Sequence, residues 1–375
     1  MKNENLDPMD ISVPEEILQE GEARGVGRRD FLKFCSALTA TLALPVTMMP
    51  KVAAALTSND NRPPVLWLEF QACTGDSEAL LRANAPEVAS LILDKISLEF
   101  HETIMAAAGH QAEQAKKEAI EKYKGQYLAI IDGAIPLGNG GVYSTSGGES
   151  AVEIARHVCN NAAGVIAVGT CAAYGGIQAA APNPTGAASV TEAVPGVKSV
   201  NLPGCPVNAD NLTATIVHFL TFGKLPATDR LGRPLFAYGK RIHDNCERRG
   251  HFDAGQYAEA FGDPAHRQGH CLYKLGCKGP QTYHNCPTVR YNMGTSWPVM
   301  AGHPCIGCSE PQFWDTMTPF YRRLPNVAGF GIEATADQVG LGLAAATALA
   351  FGAHGVMSSL RKKDKVEADK VVKED

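Results

Sequence analysis

Pro64-Val65-Leu66-Trp67-Leu68-Glu69-Phe70-Gln71-Ala72-Cys73-Thr74-Gly75-Asp76-Ser77-Glu78 reads as a buried strand running into a tight turn and then a helix. The apolar, β-rich run ends just before a cysteine, and a helix-like stretch follows over Glu78–Ala89. The same grammar recurs downstream. Gly164-Val165-Ile166-Ala167-Val168 leads to Gly169-Thr170-Cys171, and Ser199-Val200-Asn201-Leu202 leads to Pro203-Gly204-Cys205-Pro206. Tyr127 to Ile131 is a further short buried strand, and the mixed run Ser90–Phe100 predicts another. Helical patterns lie between them: Gln111–Lys124, with Glu and Lys spaced for i,i+4 pairs, Glu149–Asn160 and Ala209–Phe222. Such alternation predicts an α/β domain with a parallel sheet covered on both faces. Ligands of such sheets bind outside the carboxyl ends of the strands, so Cys73, Cys171 and Cys205 meet at one edge. A single buried cysteine is ordinarily inert packing, which suffices for Cys159 on its helix. Three cysteines at one edge are hard to explain by packing alone. The glycine runs at Gly138–Gly141 and Gly175–Gly176 do not form a G-x-G-x-x-G turn after the first strand, which argues against a dinucleotide site.

Six of the eleven cysteines fall in a second stretch, His243 to Cys308. In order, its metal-capable residues are His243, Cys246, Cys271, Cys277, Cys286, Cys305 and Cys308. Gly276, Gly279, Pro280, Pro287, Gly302, Pro304 and Gly307 make the same stretch irregular. Loops of this kind lack a hydrophobic core, and a bound metal group can replace it. Disulfide frameworks belong mainly to small secreted domains, not to a chain of 375 residues. Structural zinc takes four ligands per site, whereas the grouping here is four plus three. Iron–sulfur clusters fit better. His243, Cys246, Cys271 and Cys277 suit one cubane, and Cys286, Cys305 and Cys308 suit a cluster lacking one iron.

The ends carry separate signals. Arg28-Arg29-Asp30-Phe31-Leu32-Lys33, then an apolar run over Phe34–Met49, then Lys51-Val52-Ala53-Ala54-Ala55, read as a twin-arginine signal peptide over residues 1–55, cut near Ala55. That pathway exports folded proteins, as a cluster protein requires. From Val339 to Met357 the chain is apolar, with His354 its only ionisable residue, and Arg361-Lys362-Lys363 follow. This predicts a transmembrane anchor over residues 338–358 with the charged tail 359–375 on the cytoplasmic side. A formal net charge of -5 gives no electrostatic case for nucleic acid.

Taken together, these residues resemble the small, electron-transferring subunit of membrane-bound uptake nickel–iron hydrogenases. The resemblance covers nearly the whole chain: the twin-arginine leader, C-T-G at Cys73, His101-Glu102 to Gly109-His110-Gln111, G-T-C at Cys171, Pro182-Asn183-Pro184-Thr185-Gly186, P-G-C-P at Cys205, Cys271 to Cys277, and Gly302 to Glu310. It implies a flavodoxin-like parallel-sheet N-terminal domain (60–225) and a loop-rich C-terminal domain (226–330) organised by two iron–sulfur clusters, followed by a C-terminal transmembrane helix. It implies three clusters in a line. A proximal [4Fe-4S] cluster would use Cys73, Cys171, Cys205 and residue 76; a medial [3Fe-4S] cluster Cys286, Cys305 and Cys308; and a distal [4Fe-4S] cluster His243, Cys246, Cys271 and Cys277. Pro298 stands where a fourth medial thiolate would otherwise be. The nickel–iron site lies on a separate large subunit, so this chain has no catalytic residue of its own.

One departure matters. The family's C-T-G-C-x-E is here Cys73-Thr74-Gly75-Asp76-Ser77-Glu78. Asp76 either ligates the fourth proximal iron through a carboxylate oxygen, the preferred expectation, or points away. The extra cysteines of oxygen-tolerant relatives are replaced by Gly75 and Gly176. The expected role is to relay electrons from hydrogen oxidation at the large subunit to a membrane cytochrome b or other membrane acceptor. The expected setting is the periplasmic face of the inner membrane, as a heterodimer or dimer of heterodimers. The rival is a metal-stabilised scaffold without electron relay. A quinone-reducing respiratory subunit shares the first domain's pattern but has no counterpart of His243–Cys308.

Overall fold

Each expected strand forms in the computed structural model, which describes residues 12–23, 28–57, 62–83, 91–321 and 336–371. Helices α1 (Glu15–Ala23), α2 (Arg28–Thr41) and α3 (Met49–Thr57) precede strand β1 (Pro64–Glu69). Then come α4 (Gly75–Leu81), β2 (Ser97–His101), α5 (His110–Lys122), β3 (Leu128–Asp132), α6 (Ala151–Asn160), β4 (Gly164–Val168), α7 (Gly169–Tyr174), β5 (Ser199–Leu202) and α8 (Ala209–Phe222). The expected helix over Glu78–Ala89 starts earlier, at Gly75, and its second half lies outside the described residues.

The five strands pair in the order β2-β1-β3-β4-β5, all parallel. This is the flavodoxin-like order, and it reverses direction between β1 and β3. Alternate residues feed opposite cores. Leu66, Leu68, Ala129 and Ile131 pack on one face; Val65, Trp67, Leu128 and Ile130 on the other. Each fully buried aliphatic side chain contributes about 1.5–3 kcal/mol, so the sheet is the rigid part of the chain. Its helices are capped as the sequence allows. Ser150 and Glu153 form a reciprocal capping box on α6, and the Asn208 side chain accepts the Asp210 and Asn211 N–H groups of α8.

Residues 226–321 contain only short helical turns and isolated bridges. Their small core combines Ile242, Ala258, Leu272, Trp297 and Val299 with Cys277, Cys286 and Cys305. Cysteine sulfur thus occupies positions that aliphatic side chains would fill elsewhere. Polar links tie this region to the sheet domain. Asn211 and Asn285 exchange side-chain hydrogen bonds at 2.8 Å in both directions. Within the region itself, buried Arg233 pairs with Asp229 at 2.8 Å and with Glu310 at 3.0 Å.

The segment expected to be a leader folds onto the body. Phe31, Cys35, Leu38, Val52 and Leu56 bury against Ala214 and Val217 of α8. Arg28 is exposed and pairs with Glu15 at 2.8 Å. At the other end, α9 (Ala336–Val371) runs on through most of the expected charged tail; residues 372–375 lie outside the described residues. Among the described residues one helix is long and apolar enough to cross a membrane, Leu341–Leu360, and those residues bury none of it. This window is displaced slightly from the expected 338–358.

Candidate metal centres

The carboxyl ends of β1, β4 and β5 deliver Cys73, Cys171 and Cys205 to one edge of the sheet, as expected. Cys73 and Cys205 are exposed and Cys171 is half-buried. Glycines keep the thiols clear. A Cβ on Gly75 would lie 3.1 Å from the Cys73 Sγ, and one on Gly176 2.4 Å from the Cys171 Sγ. Gly176 also holds φ at +67°, which side chains resist. Burial pushes the Cys171 thiol up to about 11 and the Cys205 thiol up to about 12, and neighbouring acidic groups add to the rise. Without metal these thiols hold their protons; iron takes the thiolate and releases them.

Asp76 is buried between the same loops. Its Oδ1 accepts the Val207 N–H at 2.6 Å, and Oδ2 lies against Gly169, where a Cβ would come within 1.8 Å. Gly169 and Val207 each stand two residues from one of these cysteines, Cys171 and Cys205. Its other partner is Asp132, the last residue of β3. Burial raises both carboxyl pKa values, and the charge of Asp76 helps hold the proton on Asp132. The sequence reading missed Asp132, although an acid closing an otherwise apolar strand was a visible signal. Glu78 is exposed and engaged with Arg82 at 2.6 Å.

Cys277 lies close enough to Cys246 and Cys271 to raise both their pKa values, and Cys246 adds to the rise at Cys271, burial being the larger cause. Burial lowers the His243 pKa, with Arg249 adding to the effect, which favours the neutral, ligand-competent imidazole. Its ring meets Phe252 edge-on at 4.5 Å. Cys286, Cys305 and Cys308 form the third group. Burial is the first cause raising all three; Cys308 then raises both Cys286 and Cys305, while Asp76 and Glu310 raise Cys308. Pro298 is exposed between buried Trp297 and Val299.

Backbone amides aim at these sulfurs in a pattern the sequence reading missed. The N–H two residues on faces the thiol at Cys246 (from Arg248, 3.4 Å), Cys271 (from Tyr273), Cys277 (from Gly279) and Cys305 (from Gly307, 3.4 Å). Each donor lowers a pKa that burial raises, so the loops stabilise thiolate, the form that binds iron. Two further amides cross between groups. The Cys205 N–H faces the Cys308 thiol, and the Cys305 N–H faces the Cys277 thiol. Thr170 reinforces the first crossing: its hydroxyl accepts the Gly204 N–H at 2.9 Å and donates to the Cys308 carbonyl. Among the described residues no three His, Cys, Asp or Glu side chains converge on one ion position. A cluster does not require that, because its ligands bind separate irons at separate corners.

Comparison with known proteins agrees with this layout. Residues 238–321 match the family model for the C-terminal part of the NiFe/NiFeSe hydrogenase small subunit, and residues 73–219 match NADH ubiquinone oxidoreductase, 20 Kd subunit. The chain is 50% identical over 349 residues to the quinone-reactive Ni/Fe-hydrogenase small chain of Wolinella succinogenes, covering 91% of this chain and 98% of that one. It is 52% identical over 289 residues to the hydrogenase-2 small chain of Escherichia coli (strain K12), covering 77% of each. A reduced, active form of the Ni-Fe-Se hydrogenase from Desulfomicrobium baculatum aligns with a TM-score of 0.66 at 38% identity, covering 70% of this chain and 100% of that one. Both halves of the chain, its sheet order and its near-complete match to curated relatives agree: the chain belongs to the family of nickel–iron hydrogenase small subunits.

Proposed function

We propose that the chain is the electron-transfer subunit of a periplasm-facing hydrogenase and holds three iron–sulfur clusters in a line. Cys73, Cys171, Cys205 and Asp76 would hold the proximal [4Fe-4S] cluster. Cys286, Cys305 and Cys308 would hold the medial [3Fe-4S] cluster, and His243, Cys246, Cys271 and Cys277 the distal [4Fe-4S] cluster. When bound, such clusters accept and release single electrons.

The observation that carries the reading is the pair of crossing amides. Cys205, of the first group, faces the thiol of Cys308, and Cys305 faces the thiol of Cys277. The medial group therefore adjoins both others, which is the order a relay needs. The ligation of Asp76 is supported by its place between Gly169 and Val207, and requires it to exchange the Asp132 contact for iron. Exposed Cys73 and Cys205 mark the face that a hydrogenase large subunit would bury. Half-buried His243 marks the exit toward a cytochrome b or another membrane acceptor.

In this reading residues 1–55 are a twin-arginine signal, 60–225 and 226–330 the two cluster domains, 338–358 the membrane anchor and 359–375 a cytoplasmic tail. The anchor is supported by the exposed apolar helix Leu341–Leu360. The test is iron and acid-labile sulfide per chain in the anaerobically purified complex. Three clusters of these types require about 11 irons. About 10 would mean that Asp76 holds none, and zinc in place of iron would leave only a scaffold.

A further inference from the structure

His284 is buried, at 1% exposure, beside the medial cysteines. Its Nδ1 lies 3.0 Å from the Cys286 Sγ, nearer than the 3.4 Å of the amides facing Cys246 and Cys305. Nε2 is buried and finds no partner. The ring stands edge-on to Tyr238, with centroids 4.8 Å apart. The backbone fixes the residue, its N–H donating to the Lys240 carbonyl at 3.2 Å.

A ring nitrogen of histidine either donates through its proton or accepts through its lone pair. If Cys286 binds iron, its sulfur has no proton to give, and a bare Nδ1 lone pair would face a thiolate. The proton therefore belongs on Nδ1, leaving Nε2 as the orphan. An unpaired buried acceptor costs free energy, and the bond to sulfur offsets it. We propose that His284 is a positioning residue for electron transfer: its Nδ1–H donates to the Cys286 thiolate and raises the reduction potential of the medial cluster. Withdrawing charge from a ligand sulfur favours the reduced, more negative cluster. No other imidazole hydrogen-bonds to a cysteine sulfur among the described residues; the Tyr291 hydroxyl, 3.9 Å from the same sulfur, is a weaker second donor.

The inference rests on the reading of Cys286, Cys305 and Cys308 as a [3Fe-4S] site, and its test separates the two. The complete enzyme is prepared with 15N-histidine and oxidised, so that of the three clusters only the medial one is paramagnetic, and its signal is separated from that of nickel by g value. Pulsed electron resonance of its signal is expected to show a 15N coupling that His284→Leu abolishes. In a redox titration His284→Leu is expected to bias the medial couple toward oxidised by about tenfold, which is ~59 mV for one electron. His284→Gln, which keeps an N–H donor, is expected to fall between. A normal medial signal without 15N coupling, or an unchanged potential in His284→Leu, overturns the hydrogen bond alone. Absence of any [3Fe-4S] signal in the unaltered protein overturns the cluster reading and this inference together. If His284→Leu fails to load iron, the coupling in the unaltered protein still decides.

Discussion

Replacing Thr170 by valine tests whether one hydroxyl locks the two domains together. Valine keeps the shape and deletes only the polar group, at a side chain 1% exposed. The loss strands the Gly204 N–H and one bond to the Cys308 carbonyl in a buried junction. Each orphaned group costs about 1–3 kcal/mol, so about 3 kcal/mol is a moderate expectation for the pair. A cluster protein does not unfold reversibly, so the relevant quantity is a rate. If the junction opens before the unfolding barrier, ~1.4 kcal/mol per decade makes loss of the clusters about 100-fold faster. The assay is anaerobic bleaching of the visible absorbance of the whole enzyme in guanidinium. Thr170→Ser, which restores the hydroxyl, is expected to return most of the lost lifetime. Bleaching of Thr170→Val at the rate of the unaltered protein would refute the reasoning, since the hydroxyl would then hold nothing the remaining backbone bonds do not.

Asp76→Cys is expected to shift the spectrum and potential of the proximal cluster while total iron stays near 11; an unchanged proximal spectrum would show that Asp76 is no ligand. Burial lowers the His101 pKa from 6.5 to about 4. The unfolded chain takes up this proton below 6.5 and the folded chain does not. Its contribution is thus complete above pH 6.5 and declines toward pH 4, by roughly 3 kcal/mol. His101→Phe, which keeps the stack on Trp67, is expected to flatten the stability profile in that window, and a profile as steep as before would contradict the assignment. A chain ending before Leu341 is expected to leave the membrane fraction on cell breakage, while persistent sedimentation with membranes would point to another anchor.

The sheet was legible because its strands are continuous apolar runs each closed by a turn, and register followed from β-strand alternation through Val65–Leu68 and Leu128–Ile131. The convergence of Cys73, Cys171 and Cys205 followed from topology alone, since parallel strands end on one side. The second domain resisted in detail because its chain direction is set by turns and sulfur packing rather than by periodicity. Contacts made through tertiary structure left little local trace: the acid closing β3 was visible in the sequence, but its partner was not. Asp132 reaches Asp76 across two strands, and His284 looks like any loop histidine until its ring is placed on Cys286. The folding of Phe31–Leu56 onto α8 was equally hidden, because a leader and a packed helical hairpin share one composition.

The amides of Cys205 and Cys305 have a consequence beyond the sites they touch. A link made by a side chain disappears with one substitution, whereas every residue except proline supplies the same N–H. The wiring between neighbouring centres is thus written into chain geometry and survives drift in the residues around it. If the three proposed clusters sit at these cysteines, none would be an independent battery: an electron added to one would change the field at a residue of the next, so the three would resist filling at once and favour passing charge along.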